Sequence, residues 1–226
     1  MRTRITLDIR RLHRVLLDLL FPPRCVICHR VDGEWFCEAC RSTIDPILPP
    51  LCSRCGRPLL SSACPYCEKL PLHIDGIRAM AFFEGNLRQA IHTFKYKNRP
   101  ELARVLGKML SDYLSAHPLP ADAVMAVPLH SAREHARGYN QALLLAQALG
   151  AQHHLPVWDD ALTRVRATRL QVELDAAERH ANVQDAFAAD ERAAGMRLLV
   201  IDDVCTTGAT MDACSVALRQ RGAKSV

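Results

Sequence analysis

The apolar positions of this chain change their spacing several times, and each change marks a different kind of element. Ile5, Ile9, Leu12, Leu16, Leu19 and Leu20 recur at helical intervals with arginines between them, until Pro22 and Pro23 break the run. That spacing predicts an amphipathic helix over 1–22, fit either to pack on protein or to lie on a membrane surface. The stretch 23–70 has no core of its own. From Ile77 the pattern returns: Ile77–Phe83 reads as a strand, Gly85 and Asn86 as a turn, and Leu87–Phe94 as a short helix leading to Lys95, Tyr96 and Lys97. Pro100 opens a longer helix to about Ser115. Ala123–Val127 reads as a short buried strand ended by Pro128, followed by a loop, HSAREHARGYNQ, and a helix ending near Gly150. Residues 162–187 carry Arg164, Arg166, Arg169 and Arg179 and little apolar periodicity, which predicts a basic, mobile excursion or a surface helix. Leu198, Leu199, Val200 and Ile201 are too many consecutive apolar residues for a half-exposed strand, so they predict one covered on both faces of a parallel sheet. After Asp202 and Asp203 come a small-residue turn and an amphipathic helix closed by Gly222.

Strand, turn, helix is an order with chemical consequences. In open α/β sheets ligands bind beyond the carboxyl ends of the strands, where this order places both acids and the turn. Val204, Cys205, Thr206, Thr207, Gly208, Ala209 and Thr210 offer backbone N–H groups, hydroxyls and the positive end of a helix, a cradle for phosphate. Asp202 and Asp203 would repel that phosphate unless they accept hydrogen bonds from neutral hydroxyls or help hold a divalent cation. A sugar phosphate with vicinal hydroxyls satisfies both halves. Arg133 and Arg137, in the loop beyond Pro128, stand at the same sheet edge, where guanidinium groups match pyrophosphate oxygens; the competing account is that they are solvated. No GK[ST] follows the turn, so nucleoside triphosphate hydrolysis is not indicated.

Cys25, Cys28, Cys37 and Cys40 form C-x2-C-x8-C-x2-C, and Cys52, Cys55, Cys64 and Cys67 repeat it with every cysteine shifted by 27 positions. A repeat of this kind implies a duplicated unit, and paired knuckles supply the closed all-thiolate shell of a structural zinc site. Two zinc ions are expected, with sequential pairing of the cysteines favoured by the repeat and crossed pairing left open. Arg30, Arg41, Arg54 and Arg57 with Trp35 and Phe36 would suit a single-stranded nucleic acid, and would equally suit an ordinary protein surface.

Composition narrows these options. At 226 residues, 49% of them apolar, the chain holds one moderate domain and a small appendage. The net charge of +5 is unevenly spread, with 11 Lys/Arg against 7 Asp/Glu in residues 1–72 and 18 against 17 thereafter. Two zinc-bound cysteine tetrads would each contribute about −2 and cancel most of that excess, so charge alone does not argue for nucleic acid. Ten cysteines without an export signal or an apolar run long enough to span a membrane fit metal-held thiolates in a reducing, cytoplasmic setting.

The four apolar residues, two acids and Thr/Gly-rich turn resemble the phosphoribosyltransferase signature. That resemblance implies a type I phosphoribosyltransferase-like α/β core over 73–226, behind a double zinc ribbon over 23–70, and a site for 5-phosphoribosyl-1-pyrophosphate (PRPP) with Mg2+. Asp202 and Asp203 would take the ribose hydroxyls, Thr206–Thr210 the 5′-phosphate, and Arg164 and Arg166 would stabilise charge on the departing pyrophosphate. Further motifs narrow the likeness: VP at 127–128, RGYNQA from Arg137, R-x-R-x-T-x2-Q from Arg164 to Gln171, R-x2-N at Arg179 and Asn182, and the knuckles after LLFPPRC. These resemble the ComF/GntX group from about residue 15 onward, and Val226 falls two or three residues into what the resemblance implies is another strand. The group is linked to DNA uptake in natural competence, which implies single-stranded DNA and competence-machinery proteins as partners. An active phosphoribosyltransferase with an unassigned acceptor is the alternative.

Overall fold

The computed structural model describes residues 22–168 and 175–226. The helix expected before Pro22, and Arg169 and Gln171, lie outside them. The cysteine repeat becomes two small knuckled units, each with one short helix: α1 (Glu38–Arg41) in the first and α2 (Pro65–Lys69) in the second. Their backbones repeat as their sequences do. Cys25 N–H donates to the Arg30 carbonyl at 3.0 Å and Cys52 N–H to the Arg57 carbonyl at 2.8 Å. His29 and Gly56, also 27 positions apart, both take positive φ, at 61° and 70°.

The larger part is an α/β unit. α3 (Gly85–Tyr96) and α4 (Leu102–Ala116) precede β1 (Ala123–Ala126), then come α5 (Ser131–Arg137), α6 (Gln141–His153) and β2 (Val157–Trp158). β3 (Leu162–Arg164), α7 (Ala176–Val183) and β4 (Phe187–Ala189) follow, and β5 (Leu198–Ile201) leads into α8 (Ala209–Gln220). β1 lies between β2 and β5, parallel to both, with Ala123 opposite Leu198 and Ala126 opposite Ile201. All four β1 residues are buried, as a strand covered on both faces requires. α6 covers one face and packs closely on α4 because Gly107 has no side chain; a Cβ there would sit 2.4 Å from Ala148 Cβ. This is the expected α/β architecture, a parallel sheet behind a double ribbon.

Three local expectations change. Ile77–Phe83 does not join the sheet: Ala81 bridges Pro46, Phe82 N–H donates to the Asp45 carbonyl and Ile47 N–H to that of Met80, so this segment pairs with the end of the first ribbon. The HSAREHARGYNQ loop contains α5, started by the His130 ring accepting from Ala132 N–H and ended by Gly138 at φ 86°. The basic excursion is anchored by an antiparallel β3–β4 pair, and its helix α7 begins in a capping box between Asp175 and Glu178.

The first ribbon shares the main core, since Cys25, Phe36, Cys37 and Cys40 belong to the same buried cluster as β1, β5 and α6. The second has a smaller cluster, in which Cys52 and Cys55 meet Leu72, Ile74 and Ile77 against Met211 and Val226. Among the described residues no helix is long and apolar enough to cross a membrane.

Candidate functional site

The cysteines converge as two tetrads, Cys25, Cys28, Cys37, Cys40 and Cys52, Cys55, Cys64, Cys67, with all sulfurs of a set within 4.8 Å of one another. Pairing is therefore sequential. The Sγ–Sγ separations of 3.6 Å (Cys28–Cys37), 3.7 Å (Cys52–Cys67) and 3.6 Å (Cys55–Cys64) can be compared with a metal shell. Tetrahedral zinc with Zn–S bonds of about 2.3 Å places its sulfurs about 3.8 Å apart, so both tetrads fit zinc, with no position left over for chemistry.

A second cluster forms where β5 ends. Asp203 carries its charge against Lys95, whose Nζ lies 2.9 Å from Oδ1, and the two side chains are only 8% and 21% exposed. Asp202 Oδ1 accepts from the Asp203 N–H at 2.8 Å. Burial, and after it the neighbouring Asp203 charge, pushes the Asp202 carboxyl up to about 8, with Lys95 opposing the rise. One acid of the pair is thus an anion beside an ammonium, and the other keeps its proton near neutrality. Lys95 arrives from the last turn of α3, a position whose facing could not be read from its neighbours in sequence.

The turn that follows is held from several directions. Gly208 takes φ 82°, a conformation that favours glycine, and a Cβ there would come within 2.9 Å of Ile77 Cδ1, which would have to shift. Thr207 Oγ1 accepts from Ala209 N–H at 3.3 Å, close to the start of α8. Asp212, buried in the first turn of α8, accepts from the backbone N–H groups of His73 and Ile74. Arg179, from α7, donates to Thr206 Oγ1 at 3.1 Å. Arg57 Nη2 donates to the Thr206 carbonyl and Tyr66 Oη to the Thr207 carbonyl, both at 2.6 Å. No motif pointed to Arg57 or Tyr66 as partners of a turn some 140 positions away.

Among the arginines, Arg164 lies closest to the expectation. Its guanidinium feels the charges of Arg133 and Asp202, and its pKa is lowered by burial first and by Arg133 next. Arg164 Nε is buried without a hydrogen-bond partner among the described residues, while Nη2 donates to Thr168 Oγ1. Arg133 donates to the Thr168 carbonyl at 2.8 Å, so both arginines frame the same backbone turn. Arg166 is placed elsewhere: it donates to the carbonyls of Asn182 and Gln184 and closes the end of α7. Arg137 stacks over the Tyr96 ring at 5.3 Å. Pro128 directly follows the buried end of β1, Val204 packs against the main core and Cys205 is exposed. A cleft of about 350 Å³ is lined by Asp202, Asp203 and Thr206 together with apolar side chains that include Ile91 and Leu199.

The ribbon residues considered for nucleic acid are mostly engaged within the protein. Phe36 is fully buried, Arg41 is tied to Glu34 and Glu38, Arg54 donates to the Ile74 carbonyl, and Arg57 to that of Thr206. Trp35 lies under Arg99 at 5.0 Å, beside exposed Arg24, His29 and Lys97 in a groove with no acid in its walls among the described residues.

A family model described as a double zinc ribbon domain matches residues 16–71. The DNA utilization protein YhgH of Salmonella typhi is 33% identical over 221 residues, covering 92% of this chain and 96% of that relative. Competence protein F of Haemophilus influenzae is 30% identical over 216 residues, covering 90% and 93%. Among solved structures, a glutamine PRPP amidotransferase from B. subtilis complexed with ADP and GMP matches 54% of this chain and 24% of that one at 21% identity. Its TM-score of 0.37 is too low to carry an argument.

Proposed function

The chain belongs to the ComF/GntX family, with DNA utilization protein YhgH and competence protein F as its relatives, and from that premise we propose that it binds PRPP with Mg2+ and takes part in the handling of single-stranded DNA during DNA uptake. The observation that carries the ligand reading is the pairing of a buried acid pair with an amide-rich turn at one strand end. The turn and the start of α8 would take the 5′-phosphate, because their N–H groups and the helix dipole favour an anion. Asp202 and Asp203 would accept from the ribose hydroxyls. The carboxyl oxygens of the two acids are also hard donors of the kind a divalent cation takes, and a bound cation would favour loss of the Asp202 proton, so the residues fit Mg2+, which when bound would neutralise pyrophosphate charge. Arg133 and Arg164 would face that pyrophosphate, and the buried Nε of Arg164, without a hydrogen-bond partner among the described residues, is a donor suited to it.

The apolar part of the cleft lining, which includes Ile91 and Leu199, favours a second reading, active phosphoribosyl transfer to a base held in that cleft. One experiment addresses both. Calorimetry with PRPP and Mg2+ should give a one-to-one complex with the wild-type chain and no detectable heat with Asp203→Asn, whose melting temperature should stay within a few degrees of wild type. Equal affinity in the two proteins would remove the ligand assignment. Pyrophosphate release with any of a panel of bases would favour the enzyme; single-strand binding that weakens as salt rises, without turnover, would favour the binding protein.

A further inference from the structure

We infer that the second zinc ribbon is a positioning clamp for the phosphate-binding turn, with Arg57 and Tyr66 as the residues that aim the turn's amides; the inference rests on the ligand reading given above. Thr206 and Thr207 contribute the two peptide groups in question. In a planar trans peptide the C=O and the N–H point in opposite directions. Arg57 Nη2 holds the Thr206 carbonyl and Tyr66 Oη the Thr207 carbonyl, each at 2.6 Å, on the ribbon side. The N–H groups of those same two peptides belong to Thr207 and Gly208, so both are turned away from the ribbon. The ribbon thus fixes from behind the direction in which two anion-binding donors face.

The clamp is itself rigidly mounted. Arg57 follows Cys55 by two residues and Tyr66 stands next to Cys67, so a metal held by the tetrad fixes both attachment points. The Arg57 guanidinium lies 3.5 Å from the centre of the Tyr66 ring, which aligns one residue on the other. Leu72 and Ile77, members of the same apolar cluster, pack against Gly208 through their terminal methyl groups. Asp212 gathers the N–H groups of His73 and Ile74 and thereby fastens the connecting segment to the first turn of α8. The first ribbon offers no such contact among the described residues; its buried members pack into the main core. The two ribbons therefore have different roles despite equal spacing of their cysteines.

The test compares Arg57→Ala and Tyr66→Phe with the wild-type chain; the second variant keeps the ring that supports Arg57 and removes only one hydroxyl. Nitrogen-15 relaxation on the ligand-free, zinc-loaded protein should show Thr207 and Gly208 amides at rigid-backbone order parameters of about 0.85, falling below about 0.6 in Arg57→Ala. Affinity for PRPP with Mg2+ should weaken about tenfold or more in Arg57→Ala and by a smaller factor in Tyr66→Phe, with two zinc ions per chain retained. Order parameters unchanged in both variants would overturn the clamp, including the case in which Arg57 touches the ligand directly and affinity alone falls. A loosened turn with undiminished affinity would equally overturn it. If the wild-type chain itself gives no binding heat, the ligand reading fails, and the relaxation data still decide whether the ribbon orders the turn.

Discussion

Asp202 is a residue whose chemistry departs far from its type. A carboxyl lifted to about 8 retains its proton in the folded chain across a range where the unfolded chain has lost it. The unfolded state then binds fewer protons, so stability falls as pH rises from the ordinary carboxylate range near 4 towards 8, and levels off above. For one proton the slope is at most about 1.4 kcal/mol per pH unit. Urea unfolding of the ligand-free protein between pH 5 and pH 8.5 should show this decline, and Asp202→Asn should flatten it. Asp203, by contrast, is ion-paired with Lys95 at 2.9 Å. The adjacent acids were evident from the sequence. Their division into one proton-bearing and one ion-paired group was not, because it depends on burial and on a lysine from α3.

Close packing governs the elements. α4 and α6 form the most intimate helix pair in the molecule, and Gly107 is the reason they approach so closely. Gly107→Ala gains helix propensity of about 1 kcal/mol but forces a methyl to within 2.4 Å of Ala148 Cβ. Overpacking of that kind costs about 1–3 kcal/mol, so the variant should be less stable on balance, which thermal unfolding would measure. The paired change Gly107→Ala with Ala148→Gly should recover part of the packing loss. Periodicity located most elements because it reports which face each one buries; the helices around α3, α4, α6 and α8 and the strands β1 and β5 follow from it. It failed at Ile77–Phe83, where an apolar, strand-like run pairs with residues 45–47 and not with the sheet. Pairing partners are chosen by tertiary contact, and a run of apolar residues does not name them.

At the scale of the whole molecule the two ribbons divide their labour. Cys25, Cys37, Cys40 and Phe36 are part of the main core, whereas the second tetrad sits on a satellite cluster behind the turn. Cys37→Ser should therefore lower the melting temperature of the entire chain along with its zinc content. A measurement in which one zinc is lost and the cooperative transition stays in place would contradict that. Zinc binding and folding are linked because the thiolates are gathered only in the folded chain. Loss of the metal at the first site would release three buried cysteines, Cys25, Cys37 and Cys40, in a core shared with the sheet.

The sequence alone determined the pieces whose physics is local. Cysteine spacing specified two tetrads fit for metal, apolar runs specified the buried strands, and the acids followed by TTGAT specified a small-residue turn between a strand end and a helix. Each depends on residues within a few turns of one another along the chain. Tertiary structure decided what those pieces face. It placed Lys95 on Asp203, sent Arg166 to the end of α7 while leaving Arg164 beside Asp202, and set the second ribbon behind Thr206 and Thr207. Such contacts join residues up to 149 positions apart. They are fixed by how whole elements pack, a property to which no short stretch of sequence has access.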